Sequence, residues 1–330
     1  MVGRDAPPFP ARPVLPARPV RVTAPAVTRA SRPLRGAALL AGALLLFACL
    51  DATVKHLTAE YPVPLVASVR YAVQLLLMTA LLAPSRGRSM LVTQRPWLVA
   101  ARSLTLVLLT LLMNSALQRL PLAEATALSF AAPLLVVLLA QPLLREQVGW
   151  LRGAGVLVGF VGVLLIARPG GNLDPLGVTL ALLAAGSNAA YQLLSRLLSG
   201  TERPVNLLYS SALIGTLCFG LMLPWFLSGP PLTPLRAALF LSLGVTGGGG
   251  HLLFTLAFRE APASFLAPIS YLQLVWAALL GLLIFGHVPD PLALTGMGIL
   301  LAAGVSVAAF GGHGGGRGEG RGKEEAESGK

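Results

Sequence analysis

Apolar segments of about twenty residues follow one another from Gly36 to Phe310, separated by short breaks that carry Gly, Pro or Arg. An α-helix rises about 1.5 Å per residue and the hydrocarbon core of a bilayer is about 30 Å thick, so each segment is long enough to cross a membrane. The pattern predicts ten spanning helices with approximate bounds 36–57, 64–83, 98–117, 122–140, 152–168, 176–197, 205–227, 236–258, 262–285 and 290–310.

The composition favours a membrane protein over a water-soluble domain. Hydrophobic residues make up 55% of the chain and charged residues only 12%, with a mean hydropathy of +0.75. A soluble domain of this length needs more charge on its surface. Cys49 and Cys218 both lie inside apolar segments, so we expect neither a disulfide framework nor a metal site.

The positive charges cluster on one predicted side of the membrane. With the N-terminus inside, nineteen Arg and Lys residues fall on the inner side and three, Arg119, Arg168 and Arg236, on the outer side. The excess predicts a multi-pass protein of the inner (plasma) membrane with both termini in the cytoplasm. It also explains the net charge of +12 without nucleic acid, which we do not expect as a partner. The Pro- and Arg-rich tail 1–35 and the Gly-rich tail 311–330 are expected to be disordered.

An internal repeat appears when the chain is aligned with itself at an offset of 141 residues. The residues that coincide include Gly36 with Gly177, Pro121 with Pro262, and Ser129-Phe130 with Ser270-Tyr271. Each repeat contains five predicted spans, an odd number, so the second repeat must run in the opposite direction through the membrane. Inverted repeats that enclose a site near the midplane are typical of secondary transporters.

Two segments carry a resemblance to a known family. Segment 116–170, which begins ALQRLPLAEATALSFAAP, is similar to the first-repeat signature of EamA-type transporters of the drug/metabolite transporter superfamily. Segment 257–290, which begins AFREAPASFLAPISYLQLVW, is similar to the second. The resemblance covers residues 36–310 and implies a ten-helix inner-membrane carrier of small metabolites, with repeats at 36–170 and 171–310. One departure is that Glu146 fits the family's glutamate after the fourth span, whereas the second repeat has His287 there.

Ionisable residues inside spans are the first candidates for a transport path, because each costs about 2.5–3.5 kcal/mol on insertion scales. Asp51 and Lys55 are four residues apart on the first helix and are able to pair. Arg70 enters from the outer end of the second helix at similar depth, where it is able to complete an Asp–Arg contact. Two interpretations stay open: a charged lining or gate of the outer vestibule, and a self-neutralised cluster that locks two helices. Lys55 also lies near enough to the interface to reach the headgroups.

Two further charges have a similar pair of interpretations. Arg102 lies near the inner end of the third helix, where it either reaches the headgroups or binds an anionic group of the substrate. Glu124 begins the fourth helix, where a carboxylate suits the positive end of the helix dipole. The alternative role for Glu124 is a gate that takes up a proton.

The second repeat replaces these charges with polar and aromatic side chains that suit an organic solute with polar edges. We expect hydrogen-bonding and stacking groups from the sixth and ninth spans, with Gln74, Asn114 and Phe130 completing the path; the expected second-repeat residues are Asn188, Tyr191, Gln192, Tyr271, Gln273 and Trp276. Gly247 to Gly250 predict either a close helix contact or an interrupted helix. His251, which follows them, is either a packing residue or a titrating one.

We therefore predict a carrier that moves a small organic solute, such as an amino acid, a drug or a vitamin- or nucleoside-like metabolite, by alternating access. The sequence has no GxxxxGK[ST] loop, so we expect no ATP hydrolysis and no cofactor. Proton coupling through Asp51 or Glu124 and passive flux both stay open, and the sequence predicts no oligomeric state. The rival interpretations are a membrane-embedded lipid-modifying enzyme, which the lack of catalytic clusters disfavours, and a membrane sensor, which the repeat disfavours.

The topology gives a direct test. A reporter that is active only in the cytoplasm should give signal when it is fused at Phe310 and none when it is inserted near Asn172, because an even number of spans returns the chain to its starting side. Signal at Asn172 with silence at Phe310 would refute the predicted orientation.

Overall fold

Helices make up the whole regular structure of the part of the chain that the computed structural model describes, namely residues 33–144, 150–168, 171–261, 263–266 and 268–310. Short 3₁₀ turns cover Gly87–Leu91, Leu223–Trp225 and Pro268–Tyr271. The helices are α1 Pro33–Thr58, α2 Val63–Arg86, α3 Pro96–Arg119, α4 Leu122–Ser129, α5 Ala131–Leu144, α6 Trp150–Ala167, α7 Pro175–Leu198, α8 Pro204–Met222, α9 Pro234–Glu260, α10 Ala263–Leu266, α11 Leu272–Phe285 and α12 Pro291–Phe310.

These helices account for ten membrane crossings, which confirms the predicted fold class. Eight helical stretches are long and apolar enough to span a bilayer, with α4 and α5 forming one of them. The other two crossings are α6 and α12, whose apolar cores are shorter. With 18 and 20 residues, they still measure about 27 and 30 Å at a helical rise of about 1.5 Å per residue.

Prolines begin many of these helices. Pro96, Pro175, Pro204 and Pro234 each occupy the first turn of a helix, where a missing N–H leaves no bond unmade and the fixed φ suits the helix. Asp174 also caps α7, because its carboxylate accepts a hydrogen bond from the backbone N–H of the second helical residue. The short breaks in the apolar pattern therefore do correspond to helix starts.

Two predicted spans, 122–140 and 262–285, are not continuous helices, and this is a correction. The first divides at Phe130 into α4 and α5, and the second passes through α10 and a 3₁₀ turn before α11 begins after Tyr271. Proline provides the physical reason, since Pro133 and Pro268 have no N–H to donate to the carbonyl four residues earlier. The two breaks fall at positions that the repeat alignment equates, Ser129-Phe130 and Ser270-Tyr271.

Smaller corrections concern the termini. Helix α1 begins at Pro33, so the last residues of the predicted disordered tail 1–35 are helical. Residues 1–32, Glu146 and the tail 311–330 lie outside the described residues, so the expectations for them stay predictions, as do the proposed boundaries between the repeats.

Contacts at the helix ends show that the two halves run in opposite directions. The Lys55 ammonium at the end of α1 donates to the carbonyls of Leu117 and Leu120 at the end of α3, at 2.9 and 2.7 Å, so α1 and α3 are parallel. Arg119 at the end of α3 forms a 3.0 Å ion pair with Asp174 at the start of α7. Helices α1 and α7, which the repeat equates, therefore point in opposite directions.

The halves interlock rather than lie side by side. Helices α1 and α2 of the first repeat both pack on α9 of the second. Their equivalents in the second repeat, α7 and α8, both pack on α3 of the first. Equivalent glycines lie at equivalent crossings: a Cβ on Gly36 would lie 2.7 Å from that of Ala261, and one on Gly177 would lie 2.8 Å from the Leu120 side chain. Helices of the two repeats therefore contact each other through nearly bare backbone.

The outer surface of the bundle is suited to lipid. Leucines at 50–75% exposure point away from the core on several helices, among them Leu76, Leu157 and Leu221. Trp97 and Trp150 stand exposed at the starts of α3 and α6, as expected for the aromatic belts at membrane–water interfaces. The chain is therefore a multi-pass membrane protein.

The crossing of α6 and α12 gives a matched test of this packing. A Cβ at Gly296 would lie 2.7 Å from the backbone oxygen of Gly162, whereas one at Gly298 would meet nothing within 4 Å. We expect Gly296→Ala to lower stability by about 1–3 kcal/mol through overpacking. Gly298→Ala should leave stability unchanged or raise it by up to about 1 kcal/mol through helix propensity. Thermal unfolding of the purified variants measures both, and equal effects would show that the crossing is loose.

Candidate functional site

A group of polar side chains lies inside the bundle where α1 and α2 of the first repeat meet α9 and α11 of the second. Asp51 projects from α1 and is half-buried. The Gln273 side chain on α11 is placed to donate to its carboxylate, and Arg70 on α2 is close enough to attract it electrostatically. The structure thus brings together three of the residues that the sequence predicts for the path.

Arg70 has few partners in this position. Its Nε is buried and makes no hydrogen bond, and the contact that its guanidinium does make is with the ring of Tyr71, 5.4 Å from the ring centroid. The described ion pairs do not include Asp51 with Arg70, nor Asp51 with Lys55. The interior therefore holds an acidic and a basic side chain in the same region without a direct ion pair between them.

The four consecutive glycines of α9 make room for these side chains. Helix α9 continues unbroken through Gly247–Gly250, so of the two predicted alternatives the close helix contact is the one that forms. A Cβ on Gly247 would lie 3.6 Å from Arg70 Nε and 3.7 Å from Gln74 Oε1, whereas one on Gly250 would lie 2.6 Å from the Phe47 ring. The glycines seat α9 against α1 and α2 at the level of the polar group.

His251, next along α9, packs against Phe47. The two rings meet edge to face with centroids 5.0 Å apart, which is the packing role among the two predicted for this histidine. Arg70 and Arg102 both act on it electrostatically. His251 is therefore within electrostatic range of Arg70 and of Arg102, around which a second polar cluster is built.

Arg102 does not reach the headgroups, which corrects one of the two expectations for it. Its side chain is only 4% exposed, and it ties α3 to α7 and α8. Nε donates to Ser195 Oγ at 2.7 Å, one terminal nitrogen donates to the Leu207 carbonyl and to Ser211 Oγ, and the other donates to Tyr191 Oη at 2.7 Å. The guanidinium also lies over the Tyr191 ring, 4.4 Å from its centroid. Arg102 thus acts as a cross-brace between the repeats.

The polar face of α7 continues beyond Tyr191. Gln192 donates to the Asn188 side-chain oxygen at 3.3 Å, one helical turn away, and all three side chains are half-buried. Three of the predicted second-repeat residues therefore lie on one stripe of α7, and Tyr191 among them is bound to Arg102. Asn188 and Gln192 are therefore the members of the stripe whose hydrogen bonds stay within their own helix.

Glu124 lies at one end of the bundle, in a cluster that joins both repeats. Its carboxylate, almost fully buried, contacts the imidazole Nε2 of His287, just beyond α11, at 2.8 Å. Its other oxygen is buried without a hydrogen-bond partner. Lys55, bound to the carbonyls that end α3, acts on Glu124 electrostatically. Lys55 therefore does not extend toward the headgroups, and His287 is a partner that the sequence reasoning treated only as a departure from the family pattern.

Phe130 and Tyr271 meet at the two helix breaks. Their rings stack with centroids 4.9 Å apart and an interplanar angle of 21°. The space for the Tyr271 hydroxyl exists only because residue 304 on α12 is glycine, since a Cβ there would collide with it. Tyr271 is 8% exposed and packs between Phe130 and α12. It also lines a cavity together with Leu274, His287 and Met297.

Trp276 and Asn114 each bury a polar nitrogen without a partner. Trp276 Nε1 makes no hydrogen bond, although its ring packs on the apolar cluster of Leu40, Leu44 and Ala257. Asn114 is 3% exposed and its amide nitrogen also has no partner. Unpaired buried donors are uncommon in folded proteins, so both positions are compatible with a site that a polar solute completes.

Ion pairs at the membrane surface join the repeats outside the spans. Arg168, just after α6, forms a bidentate pair with Asp290, just before α12, at 3.1 and 2.9 Å. The Arg168 guanidinium and two backbone N–H groups lower the pKa of Asp290 to about 2. Arg119 likewise lowers the pKa of Asp174. Both carboxylates therefore stay ionised at any physiological pH, so these links do not open by protonation.

The family model of the EamA-like transporter family matches this chain twice, at residues 34–168 and 175–309. The chain belongs to the EamA-like transporter family. The two matches cover the ten crossings described above and agree with the two repeats. This EamA-like chain is accordingly a transporter rather than an enzyme. The described residues contain no group of three or more His, Cys, Asp or Glu side chains that is able to hold a metal ion.

Named relatives of this EamA-like chain are transporters of small metabolites. It is 30% identical to a riboflavin transporter of Rhizobium johnstonii over 67% of this chain and 73% of the relative. It is 29% identical to an S-adenosylmethionine uptake transporter of Rickettsia prowazekii over 66% of this chain and 73% of the relative. A solved crystal structure of a protein at 22% identity superposes with a TM-score of 0.61, over 84% of this chain and 97% of its own, which shows the fold alone.

The Arg102 cross-brace leads to a stability prediction. Lysine keeps the charge but lacks the planar fork of donors, so Arg102→Lys should lose hydrogen bonds to Tyr191, Ser195 or Ser211. Each hydrogen bond to a charged group contributes about 1.5–3 kcal/mol, and the loss should appear as a lower unfolding temperature and lower membrane abundance. The control is Arg259→Lys, at an exposed position near the end of α9, which should change neither. An unchanged unfolding temperature for Arg102→Lys would refute the bracing role.

Proposed function

We propose that this EamA-like chain is a secondary transporter that carries a small organic metabolite across the inner membrane by alternating access, with the solute bound between the repeats. The observation that carries the proposal is the interior polar group, in which first-repeat Asp51 and Arg70 face second-repeat Gln273 and Gly247. Charges inside membrane spans are costly and mark substrate or ion pathways. These charges lie where the two repeats meet.

The inverted architecture supports the alternating-access mechanism. When two repeats of opposite direction enclose a site, a change that exchanges their conformations moves the opening from one side to the other. The contact of α1 with α9 and the equivalent contact of α7 with α3 supply the matched surfaces for such an exchange. In this proposal the repeats are 36–170 and 171–310, and both termini lie in the cytoplasm.

The Glu124–His287 cluster serves as a gate in this proposal. Glu124 and His287 come from different repeats, so their 2.8 Å contact must break if the repeats separate at this end. In the predicted topology this is the outer end, and the described conformation is closed there. Asp51 and Glu124 are the carboxylates through which a proton gradient would drive transport; facilitated flux uses the same path without them changing protonation.

Riboflavin and S-adenosylmethionine, the solutes named for the relatives, are the first probes. The purified chain is reconstituted in vesicles without ATP, and uptake of each labelled compound is measured with and without an imposed pH gradient, beside an extract of total metabolites. We expect saturable uptake of at least one small organic metabolite. No uptake of any extract component, with correctly folded protein in the vesicles, would refute the transport function.

Neighbouring glycines give a matched pair of variants for the position of the site. A methyl group at residue 247 would fill the space beside Arg70 and Gln74 at ordinary contact distances, whereas one at residue 248 would touch only Gln74, at 3.9 Å. Gly247→Ala should therefore fold normally and weaken the apparent affinity about tenfold, the lower end of what one methyl group does in a pocket. Gly248→Ala should leave affinity unchanged. Equal affinities for both variants and the parent chain would place the solute elsewhere.

A further inference from the structure

Six helices of the bundle form two groups that the repeat alignment exchanges. The α9 group consists of α1, α2 and α9, and the α3 group consists of α7, α8 and α3. The alignment equates α1 with α7, α2 with α8 and α3 with α9. Helices α2 and α8 pack across the two groups, but they are each other's counterparts, so their contact does not distinguish the two ends of the bundle. Contacts of α1 with α3 and of α7 with α9 do distinguish them.

At the outer end of the predicted topology, the two groups are bonded to each other. The Lys55 ammonium at the end of α1 donates to the carbonyls of Leu117 and Leu120 at the end of α3, at 2.9 and 2.7 Å. The Gln118 amide, also at the end of α3, donates to the Thr58 carbonyl at the end of α1, at 2.7 Å. Three hydrogen bonds therefore cross between the groups and hold the outer end closed.

At the inner end, two links of the same kind each stay within one group. Arg35 at the start of α1 pairs with Glu260 at the end of α9, at 3.9 Å. Glu202, between α7 and α8, accepts hydrogen bonds from the backbone N–H groups of Gln94 and Arg95, just before α3, at 2.6 and 2.8 Å. Helices α1 and α3 pack on each other, whereas the equivalent pair, α7 and α9, makes no comparable contact within the part of the chain that the structure describes. The two ends therefore differ, and the inner one is open.

The residues of the outer bonds have counterparts at the inner end. At the offset of 141 residues the ends of α1 and α3 coincide with the ends of α7 and α9, which equates Lys55 with Arg196, Thr58 with Ser199, Leu117 with Phe258, Gln118 with Arg259 and Leu120 with Ala261. Arg196 keeps the positive charge and the hydrogen-bond donors of Lys55. The inner end therefore carries the same kinds of donors as the outer end.

Helix α9 also ends in the way that α3 does. Leu120 and Ala261 each follow their helix in an extended conformation. Their N–H groups donate to the carbonyls of Ala116 and Ala257, four residues earlier, at 2.8 and 3.1 Å. The last carbonyls of an α-helix have no partner within the helix, and their partial negative charge favours a nearby cation. The end of α9 is therefore suited to accept a cationic side chain, as the end of α3 does.

We infer that the described conformation is open to the inner side and that Arg196 forms an inner gate as the counterpart of Lys55. When the interior opens to the outer side, Lys55 leaves the end of α3, and the Arg196 guanidinium binds the carbonyls of Phe258 and Ala261. The inference rests on the proposed alternating access and names residues whose bonds alternate.

The exchange replaces one set of bonds by another of the same kind. Each set consists of one cationic side chain and the last carbonyls of one helix. Hydrogen bonds to a charged group are stabilising, so Lys55 favours the inward-open state and Arg196 favours the outward-open state. Removal of either side chain should therefore shift the balance between the states in opposite directions. A side chain with only a structural role would lower stability without shifting that balance.

A single cysteine in the path measures the balance. Asn188→Cys, half-buried near the middle of α7, is introduced into the full chain together with Cys49→Ala and Cys218→Ala. A thiol reagent that does not cross membranes is applied to right-side-out and to inverted membrane vesicles. The ratio of the two labelling rates does not depend on the amount of protein. We expect faster labelling from the inner side, because the outer end is closed in the described conformation.

Variants of the two gate residues should move this ratio in opposite directions. Lys55→Met should shift it about tenfold or more toward the outer side, and Arg196→Met about as far toward the inner side, as expected for loss of a charge-assisted hydrogen bond from one state. The double variant should return close to the parent ratio. Lys55→Arg and Arg196→Lys keep a cationic donor and should keep the parent ratio. The controls, His56→Gln and Arg203→Gln at exposed positions, should leave it unchanged.

The outcomes separate the inner gate from the transport proposal. Faster labelling of the parent chain from the outer side would show that the inward-open assignment is wrong. If Arg196→Met lowers the thermal unfolding midpoint but leaves the ratio unchanged, or shifts the ratio toward the outer side, Arg196 is not the inner gate. A parent chain that takes up metabolites while its gate variants do not move the ratio keeps its transport function and refutes this inference. A parent chain that takes up no metabolite refutes both proposals.

Discussion

Close approach of helix backbones is the constraint on which the rest of this structure depends. Lipid tails are as apolar as leucine, so helices in a membrane are not driven together by the hydrophobic effect and must gain from packing instead. Gly36 and Gly177 provide that packing at equivalent crossings, and Gly162 and Gly296 bring α6 against α12. Because these contacts join one repeat to the other, the interior space is defined by both halves of the chain.

Within that frame the polar interior has two physically different parts. The Arg102 network is complete in itself and holds α3 to α7 and α8. The Asp51–Arg70 region, between α1, α2, α9 and α11, is incomplete. A rigid, satisfied cluster next to an unsatisfied one is what a binding site requires, since the first keeps the helices in place while the second keeps its bonding capacity for a ligand.

The sequence predicted the ten crossings, the opposed repeats and the interior position of Asp51 and Arg70. Segment length, apolarity and the placement of charges can all be read along the chain without knowing how each helix is rotated. It did not predict the partners of Arg102 or the contact of Glu124 with His287. Those depend on how each helix is rotated, and helices that are apolar on most of their surface carry little amphipathic signal of rotation. Ser195 and Ser211, small polar residues within apolar helices, were the available signal for the Arg102 network. The two helix breaks were not predicted because Pro133 and Pro268 do not interrupt the apolar runs from which the spans were predicted.

The stacked rings of Phe130 and Tyr271 have a consequence that follows from symmetry. The repeat alignment equates these two residues, so their contact joins a position to its own counterpart and must lie on the pseudo-twofold axis. Any rearrangement that makes each repeat adopt the other's shape maps this contact onto itself. In the proposed alternating-access exchange, the helices on either side of the ring pair therefore exchange their geometries while the distance between the two rings stays the same.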